Sequence, residues 1–287
     1  MFLMLRKFRY SLEAIPLLLG MLLFRLLPLD TASAFGGWLG RLFGPLTRAH
    51  RVARTNMTRA LPEMSERERQ QALNAMWDNL GRTVGEYPHL ARAEMRRRIT
   101  VEGRENLEGI HKGAVFISGH FANWEIAPLT AALCGMPLAI VYRKPNNPMA
   151  DWITRSIRSH YSLSMHKKGR DAAREVLEAL RDDQRVSMHV DQKMSDGEPV
   201  MFFGYEAMTT TAATRLAIKL QLPLLAARVV RTDGAYFHVT LLPPVVYPMD
   251  ASARYAMEEI HRLFEGWIRQ LPSQWFWVHN RWNFINK

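Results

Sequence analysis

The chain has 287 residues, of which 48% are hydrophobic, and this length suits one large domain better than two independent ones. A single cysteine, Cys134, excludes an intramolecular disulfide framework and every multi-cysteine metal site, and we expect it in the core. The formal net charge of +11 predicts an anionic partner, which is nucleic acid, anionic lipid or a phosphorylated substrate. Nucleic acid is the least favoured of the three, and we expect none, because no helix-turn-helix, zinc-finger or RNP-like pattern accompanies the charge.

The N-terminal segment combines a basic start, "LRKFRY", with a long apolar stretch. A helix that crosses a bilayer needs about 20 uncharged residues, whereas Glu13 and Arg25 bracket a shorter run that also contains proline. We therefore favour an uncleaved helix lying in the cytoplasmic leaflet over a true span, and also over a signal peptide cleaved near "TASAFGG". Residues 1–46 are predicted to associate with an anionic membrane surface, and residues 47–287 to form one α/β domain.

Helical patterns dominate the chain between the apolar segment and Ile99, and Ser65 with Glu68 predicts a capping box at the start of one helix. Beyond Ile99, short apolar runs alternate with helical patterns, as in βα units. The predicted strands are 114–118, 138–142, 186–190, 224–230 and 236–242, and the predicted helices are 124–133, 149–160, 170–181, 210–220 and 252–271. This order predicts an α/β fold with a mixed, mostly parallel central sheet flanked by helices. In such sheets, functional sites lie beyond the carboxyl ends of the strands.

The segment "VFISGHFANWE", residues 115–125, begins as a buried strand and then carries a histidine and a glutamate. Two residues five apart on one regular helix do not face each other, so the pair meets only if His120 precedes the helix. Gly119 permits a sharp turn, Asn123 can cap the helix, and a carboxylate is favoured at its start. Glu125 would then orient the imidazole of His120, leaving its other nitrogen to accept a proton. A purely structural histidine remains the alternative.

These residues carry a resemblance. "GHFANWE" resembles the histidine–acidic motif of the glycerolipid and lysophospholipid acyltransferase superfamily, in the glutamate form of the bacterial lipid A secondary (late) acyltransferases of lauroyl and myristoyl type. Further blocks resemble that family in the same order, and the likeness covers nearly the whole chain. They are "VYRKPNNP" at 141–148, "DQ" at 191–192 with Gly197, "MFFG" at 201–204, "TTTAATRLA" at 209–217 and "PSQWFWVHNRW" at 272–282.

The resemblance implies an acyltransferase-like fold and transfer of a fatty acyl chain from acyl carrier protein to a hydroxyl of a hydroxyacyl chain on a lipid A precursor. It implies His120 as general base and Glu125 as its orienting partner, action at the cytoplasmic face of the inner membrane, and neither metal nor cofactor. A backbone N–H near the helix start or the Arg143 side chain would stabilise the oxyanion. The segment "HVD" at 189–191 could suggest a pair of metal ligands. We expect no metal there, because no third and fourth ligand follows at fitting spacing.

Other candidate residues surround this site. Arg143 and Lys144 follow a predicted strand on the same rim as His120, and we expect them to bind the acceptor's sugar phosphates, with a solvated surface pair as the alternative. Asp191 and Gln192 are expected to shape the polar rim. The adjacent aromatic side chains at 202–203, Phe202 and Phe203, either line an acyl groove or pack in the core. The tryptophans of 272–282 either lie at a membrane interface or close the core.

Three other classes of function remain open. An acyltransferase of the same fold could act on another lipid, such as a lysophospholipid, an aminolipid or a phosphoinositide glycolipid. A catalytically silent lipid-binding protein would keep the fold but has no need of both His120 and Glu125. A thioesterase-like hydrolase would use the same base on water. A serine hydrolase is not indicated, because the sequence has no GxSxG motif.

Overall fold

The structure is a computed structural model that describes residues 2–142, 144–167 and 170–284. Helices and strands alternate after a helical N-terminal third. The helices are α1 Phe2–Leu26, α2 Leu29–Phe43, α3 Arg48–Ala60, α4 Glu66–Glu86, α5 Ala93–Arg96, α6 Ile126–Leu133, α7 Pro148–Arg158, α8 Arg170–Arg181, α9 Ala212–Leu220 and α10 Ala253–Gln270. The strands are β1 Ile99–Glu102, β2 Ala114–Ser118, β3 Leu138–Tyr142, β4 Ser162–Lys167, β5 Arg185–His189, β6 Glu198–Phe202, β7 Tyr205–Thr209, β8 Leu224–Asp233 and β9 Tyr236–Leu241.

The described strands form a seven-stranded sheet in the order β1-β9-β8-β2-β5-β3-β4, with β6 and β7 as a separate antiparallel hairpin. Neighbouring strands of the large sheet run parallel, apart from the antiparallel pair β8 and β9. The predicted mixed, mostly parallel sheet flanked by helices is therefore confirmed. The central strand β2 lies between β5 and β8, and its carboxyl end lies beside the carboxyl end of the parallel strand β5.

The predicted elements match best where the sequence pattern within one element is clearest. Strands β2 and β3 and helix α8 have the predicted bounds, and β2 is buried at every position. Four strands were not predicted: β1, β4, β6 and β7. Strands β1 and β4 are the two edges of the large sheet, and β1 alternates between half-buried and exposed side chains, so neither edge carries a continuous apolar run.

The N-terminal helices pack on the α/β unit through close contact between α2 and α4. A Cβ atom added to Gly36 would collide with the main-chain carbonyl of Gly81, so glycine is required for this helix spacing. Helix α4 begins with the predicted capping box, in which Ser65 and Glu68 exchange hydrogen bonds. Over the ranges that the structure describes, no helix combines the length and the apolar character needed to cross a membrane.

The aromatic residues near the C-terminus close the core. Trp275, Trp277 and Trp282 are all buried, so the structure supports the second of the two predicted alternatives for this segment. Phe202 is fully buried and packs against the rings of Trp275 and Trp282. Phe203 is also buried, in the turn between β6 and β7. Both phenylalanines therefore occupy core packing in this conformation, and an acyl groove at Phe202 would require this cluster to open.

Candidate active site

The loop that carries His120 joins the end of β2 to α6. Helix α6 begins at Ile126, two residues later than predicted, and Glu125 is its N-cap residue. Asn123, which we expected to cap the helix, instead accepts a hydrogen bond from the Glu125 N–H through its side-chain oxygen at 3.2 Å and closes the turn before α6. Glycine is required at position 119 for lack of space, whereas we expected it to permit an unusual backbone conformation. A Cβ atom at Gly119 would collide with the Phe121 ring and approach an Asp191 oxygen, and the left-handed φ of 47° falls on Ala122 instead.

Asp191 is the hydrogen-bond partner of His120. Its Oδ1 lies 2.7 Å from His120 Nδ1, and its Oδ2 accepts the His120 main-chain N–H at 2.6 Å. Trp275 Nε1 donates to the same Oδ2 at 2.9 Å. Burial alone would raise the pKa of the Asp191 carboxyl, but the charge and hydrogen bonds of His120 outweigh it and hold the pKa below its ordinary value. An ionised Asp191 accepts hydrogen bonds only, so it assigns the imidazole proton to Nδ1.

The second imidazole nitrogen of His120 is then an acceptor. The Gln192 side-chain Nε2 lies 3.1 Å from His120 Nε2 and donates to it in this tautomer. The His120 side chain keeps 14% of its surface exposed, whereas Asp191 keeps 2%. The imidazole therefore directs its proton toward a buried carboxylate and leaves a basic nitrogen on the other side of the ring, which is the arrangement of an oriented general base.

Glu125 has different partners from those the sequence predicted. Arg158 donates to both of its carboxylate oxygens, at 2.5 and 2.9 Å, and the Tyr161 hydroxyl donates to Oε2 at 2.7 Å. Burial alone would raise the pKa of the Glu125 carboxyl, but the Arg158 charge and these hydrogen bonds hold it below its ordinary value. The expected orienting contact from Glu125 to His120 is thus replaced by the contact from Asp191, because the His120 Nδ1 points to the neighbouring strand end.

His189 lies beside His120 at the end of β5, with its ring centroid 4.7 Å away. Burial, followed by the nearby charge of His120, lowers the pKa of His189 to about 3, so this imidazole is neutral at physiological pH. Its Nε2 is buried without a hydrogen-bond partner. A neutral neighbour leaves His120 free of a second positive charge when His120 takes up a proton.

A buried polar network lies behind the His120 loop and links it to α4 and β8. The Ala122 carbonyl accepts hydrogen bonds from Asn79 Nδ2 and Thr83 Oγ1, each at 3.2 Å. Asn123 Nδ2 donates to Glu86 Oε2 at 2.9 Å, and Glu86 is paired with the Arg231 guanidinium. Glu86 is fully buried and its charge is compensated by Arg231. This network holds the left-handed turn at Ala122 and thereby the position of His120.

The C-terminal segment fixes the opposite side of the loop. The Ala122 N–H donates to the Gln274 carbonyl at 2.7 Å, and the Phe276 N–H donates to the His120 carbonyl at 3.1 Å. The Lys193 N–H donates to His279 Nε2 at 2.8 Å, next to the Asp191–Gln192 pair. Segment 272–282 therefore holds the His120 loop in place by packing and by main-chain hydrogen bonds.

The predicted phosphate-binding pair is only partly described. Arg143 lies outside the residues that the structure describes. Lys144 follows β3, keeps half of its side-chain surface exposed, and has its Nζ 3.9 Å from Asp151 Oδ2. Because β5 separates β3 from β2 in the sheet, this segment lies one strand away from His120, on the same carboxyl edge. Within residues 2–142, 144–167 and 170–284, no three His, Cys, Asp or Glu side chains are grouped to hold a metal ion.

Sequence reasoning missed the groups that hold Glu125 and Asp191. Arg158 ends α7 and Tyr161 follows it, 33 and 36 positions from Glu125, and neither has a distinctive motif. Trp275 was singled out only as an aromatic residue. One signal in the sequence pointed to Asp191 as a partner of His120, because both residues follow a predicted strand. The sequence did not show that these two strands are neighbours in the sheet.

Residues 2–283 match the family described as bacterial lipid A biosynthesis acyltransferase. The chain is 27% identical over 272 residues to lipid A biosynthesis palmitoleoyltransferase of Escherichia coli strain K12, covering 89% of this chain and 86% of that protein. It is 25% identical over 268 residues to lipid A biosynthesis lauroyltransferase of the same strain, with 89% and 86% covered. The crystal structure of the 1-acyl-sn-glycerophosphate acyltransferase PlsC from Thermotoga maritima aligns with a TM-score of 0.42 and 15% identity, over 94% of this chain and 99% of that one. The family match spans nearly the whole sequence, so the family predicted from the motifs is confirmed and the protein belongs to the bacterial lipid A biosynthesis acyltransferases.

Proposed function

We propose that the protein transfers a fatty acyl chain from an acyl carrier protein thioester to a hydroxyl of a hydroxyacyl chain on a lipid A precursor. The observation that carries this proposal is the orientation of His120, whose Nδ1 faces the buried Asp191 carboxylate while its Nε2 meets only the side-chain amide of Gln192, on a side chain that keeps 14% of its surface exposed. A base in this state accepts a proton from a neutral hydroxyl, which is the activation that O-acyl transfer needs.

The chemical step follows from that geometry. The acceptor hydroxyl replaces Gln192 as the hydrogen-bond partner of His120 Nε2, gives its proton to that nitrogen, and its oxygen attacks the thioester carbonyl carbon. The tetrahedral intermediate then breaks its carbon–sulfur bond, and the imidazolium of His120 returns the proton to the departing thiolate. Asp191 stabilises the imidazolium between these two transfers, because it is ionised and lies 2.7 Å from Nδ1.

Gln192 is our candidate for stabilising the oxyanion. Its side-chain amide lies 3.1 Å from His120 Nε2, within reach of the carbonyl oxygen of a thioester placed there. Amide N–H groups aimed at a developing oxyanion are a common source of transition-state stabilisation. Arg143 remains a proposal for the same task or for phosphate binding.

Glu125 acts through position in this scheme rather than by contact with the imidazole. It occupies the N-cap position of α6 and is held by Arg158 and Tyr161, so it ties the end of the His120 loop to α7 and the segment that follows it. Loss of Glu125 would leave Arg158 buried without a counter-charge and displace this end of the loop.

Membrane association is supported by one exposed apolar face, which we call the leucine stripe. It comprises Ile15, Leu18, Leu19, Leu22, Leu23 and Leu26 of α1. Leu26 is 75% exposed, and Trp38, Leu42 and Phe43 of α2 continue the apolar surface. A contiguous face of this kind on a basic protein fits a helix lying in the head-group region of an anionic leaflet. We place the protein at the cytoplasmic face of the inner membrane, where the proposed carrier-bound donor is delivered.

The test is a product-mass experiment. Purified full-length protein is incubated with a panel of acyl carrier protein thioesters and a tetra-acylated lipid A precursor. We expect one acyl increment on the precursor and release of free carrier thiol. Release of free fatty acid without acceptor acylation would instead assign a hydrolase, and transfer only to a lysophospholipid would assign another acceptor.

A further inference from the structure

Arg281 is a buried cation that has no acidic side chain in contact with it. It belongs to the segment "PSQWFWVHNRW", and only 1% of its surface is exposed. Its guanidinium donates to the Met208 carbonyl at 2.8 Å and to the Thr209 hydroxyl at 2.5 Å, and it lies 3.4 Å from His261 Nε2. None of these partners is acidic, and the Arg281 Nε is buried without a hydrogen-bond partner.

Arg281 differs in this respect from the other buried arginines. Among the buried residues of the described ranges, the two other arginines both form ion pairs with glutamate, namely Arg69 and Arg231. Burial lowers the pKa of the Arg281 guanidinium to about 10, and the nearby negative charge of Asp191 offsets part of that decrease. Arg281 is therefore charged at neutral pH. A buried charge is tolerated when an opposite charge compensates it, and Asp191 is the carboxylate whose field acts on Arg281.

Asp191 needs such a cation before the reaction begins. A general base is neutral in its resting state, so His120 then supplies hydrogen bonds to Asp191 but no positive charge. Three further imidazoles near this carboxylate are also neutral, because burial lowers their pKa values to about 3, 3 and 4, for His189, His261 and His279 in that order. Trp275 donates an uncharged N–H. None of these groups therefore carries the charge that balances Asp191.

Two other cations near the site are paired or lie at the surface. The Lys193 ammonium bonds Asn283 Oδ1 at the exposed surface, 2.8 Å away. Arg158 is balanced by Glu125. Arg281 is the buried cation that these contacts leave available for Asp191.

Buried aromatic rings connect Arg281 to Asp191. The Arg281 Cζ lies 5.6 Å from the centroid of the Phe202 ring, and that ring lies 5.6 Å from the Trp275 ring, whose N–H bonds Asp191. Phe202 and Trp275 are both buried. Opposite charges are screened less in such surroundings than across water, so their attraction extends beyond contact distance.

We propose that Arg281 is a positioning residue of the catalytic base, whose charge balances the Asp191 carboxylate and so keeps the resting imidazole of His120 neutral. The inference rests on the proposed function, in which His120 is the base, and adds the residue that keeps this base ready to accept a proton. Without Arg281, the unbalanced carboxylate would hold a proton on His120, because a negative charge favours the imidazolium. An imidazolium cannot accept the proton of the acceptor hydroxyl.

Two substitutions separate the charge of Arg281 from its hydrogen bonds. Arg281→Gln removes the charge but keeps an N–H donor, whereas Arg281→Lys keeps the charge but loses the guanidinium fork. The acid limb of the kcat/KM profile should move up by about 0.5 to 1 pH unit in Arg281→Gln, since a charge acting through buried surroundings changes a neighbour's proton affinity by this order. In Arg281→Lys the midpoint should stay near the wild-type value. Arg69→Met is the matched control, because it removes another buried arginine with an unbonded Nε, and it should leave the midpoint unchanged.

The pH profiles distinguish a charge from a structural contact. An unmoved midpoint in Arg281→Gln overturns the inference, and so does an equal shift in Arg281→Lys. An equal loss of plateau rate in both variants without a shift would assign Arg281 a purely structural role. A wild-type protein that acylates no acceptor refutes the proposed function instead.

A second measurement does not need turnover. Denaturant unfolding compares Arg281→Gln, Asp191→Asn and their combination in the full-length protein. Removing both charges leaves neither unbalanced, so the double variant should be more stable than the sum of the single losses predicts, and additive losses overturn the charge pairing. Where Arg281→Gln alone does not fold, recovery of folding on adding Asp191→Asn supports the pairing, and continued failure to fold overturns it.

Discussion

Asp191 and Glu125 are both almost completely buried carboxylates beside the loop of His120, yet they have different kinds of partner. Asp191 bonds a partly exposed histidine, together with a tryptophan N–H. Glu125 bonds Arg158 and Tyr161, and Arg158 is itself largely buried. Asp191 therefore bonds a side chain that is itself partly exposed, while every strong partner of Glu125 is internal.

The difference shows that nearness in the chain does not choose the partner of a catalytic base. Glu125 is five positions from His120, but it is the N-cap residue of α6 and its side chain points to Arg158 at the end of α7. Asp191 is 71 positions away and arrives at the imidazole because β2 and β5 are adjacent parallel strands. We therefore expect the two carboxylates to make separable contributions, one to proton transfer and one to the stability of the loop.

Among the substitutions that distinguish the two regions, His120→Ala should have the largest effect on transfer. We expect transfer to fall by about 10² to 10⁴, the usual contribution of a positioned general base. The free energy of unfolding should fall as well, because the buried Asp191 carboxylate loses the imidazole that bonds it, so rates are compared under conditions where the variant remains folded. Initial rates at saturating donor and acceptor measure the first effect, and denaturant unfolding measures the second. Near-normal turnover of this variant would remove His120 from the mechanism.

Arg158→Met tests the other region. It leaves the Glu125 carboxylate buried without its counter-charge, which typically destabilises a protein by about 3–5 kcal/mol. Urea unfolding should report this loss at pH 7. Adding Glu125→Gln to the same chain removes the unpaired charge, so the double variant should recover part of the stability. If the double variant is no more stable than Arg158→Met, the pairing of these two side chains is not what stabilises the loop.

Asp191→Asn sharpens the contrast, because it keeps the size of the side chain and removes its charge. We expect kcat to fall by about 10² or more, since the amide can select the wrong imidazole tautomer and does not stabilise imidazolium. Acceptor KM should change little. Glu125→Gln is the matched comparison in the second region. A larger kcat loss for Glu125→Gln than for Asp191→Asn, in variants of equal stability, would return Glu125 to the position of orienting partner.

The smallest expected effect is a pH dependence of stability. Burial lowers the pKa of His189 and of His261 to about 3, while an unfolded histidine titrates near 6.5. Below about pH 6.5 the unfolded state therefore binds more protons, and stability falls as pH decreases toward 4. Each histidine should contribute a loss of ~1 kcal/mol between pH 7 and 5.5. Thermal unfolding of His261→Gln should show a shallower dependence, and an identical slope would contradict the assignment.

Several features of the fold were predictable because their cause is local. The continuous apolar runs of β2 and β3, the amphipathic pattern of α8 and the capping box at Ser65 each follow from residues within one element. The edge strands β1 and β4 were not predictable in the same way. Their residues become strands through pairing with a neighbour that lies elsewhere in the sequence.

The sequence by itself determined the family, the mixed α/β fold and the placement of His120 directly after a buried strand, because these depend on motifs and on local periodicity. Only the tertiary structure decided which carboxylate meets the imidazole and which side chains hold Glu125. Strand order brings Asp191 to His120, and the position of α7 brings Arg158 to Glu125. Both are contacts between distant segments, and their geometry depends on how whole elements pack rather than on the spacing of residues along the chain.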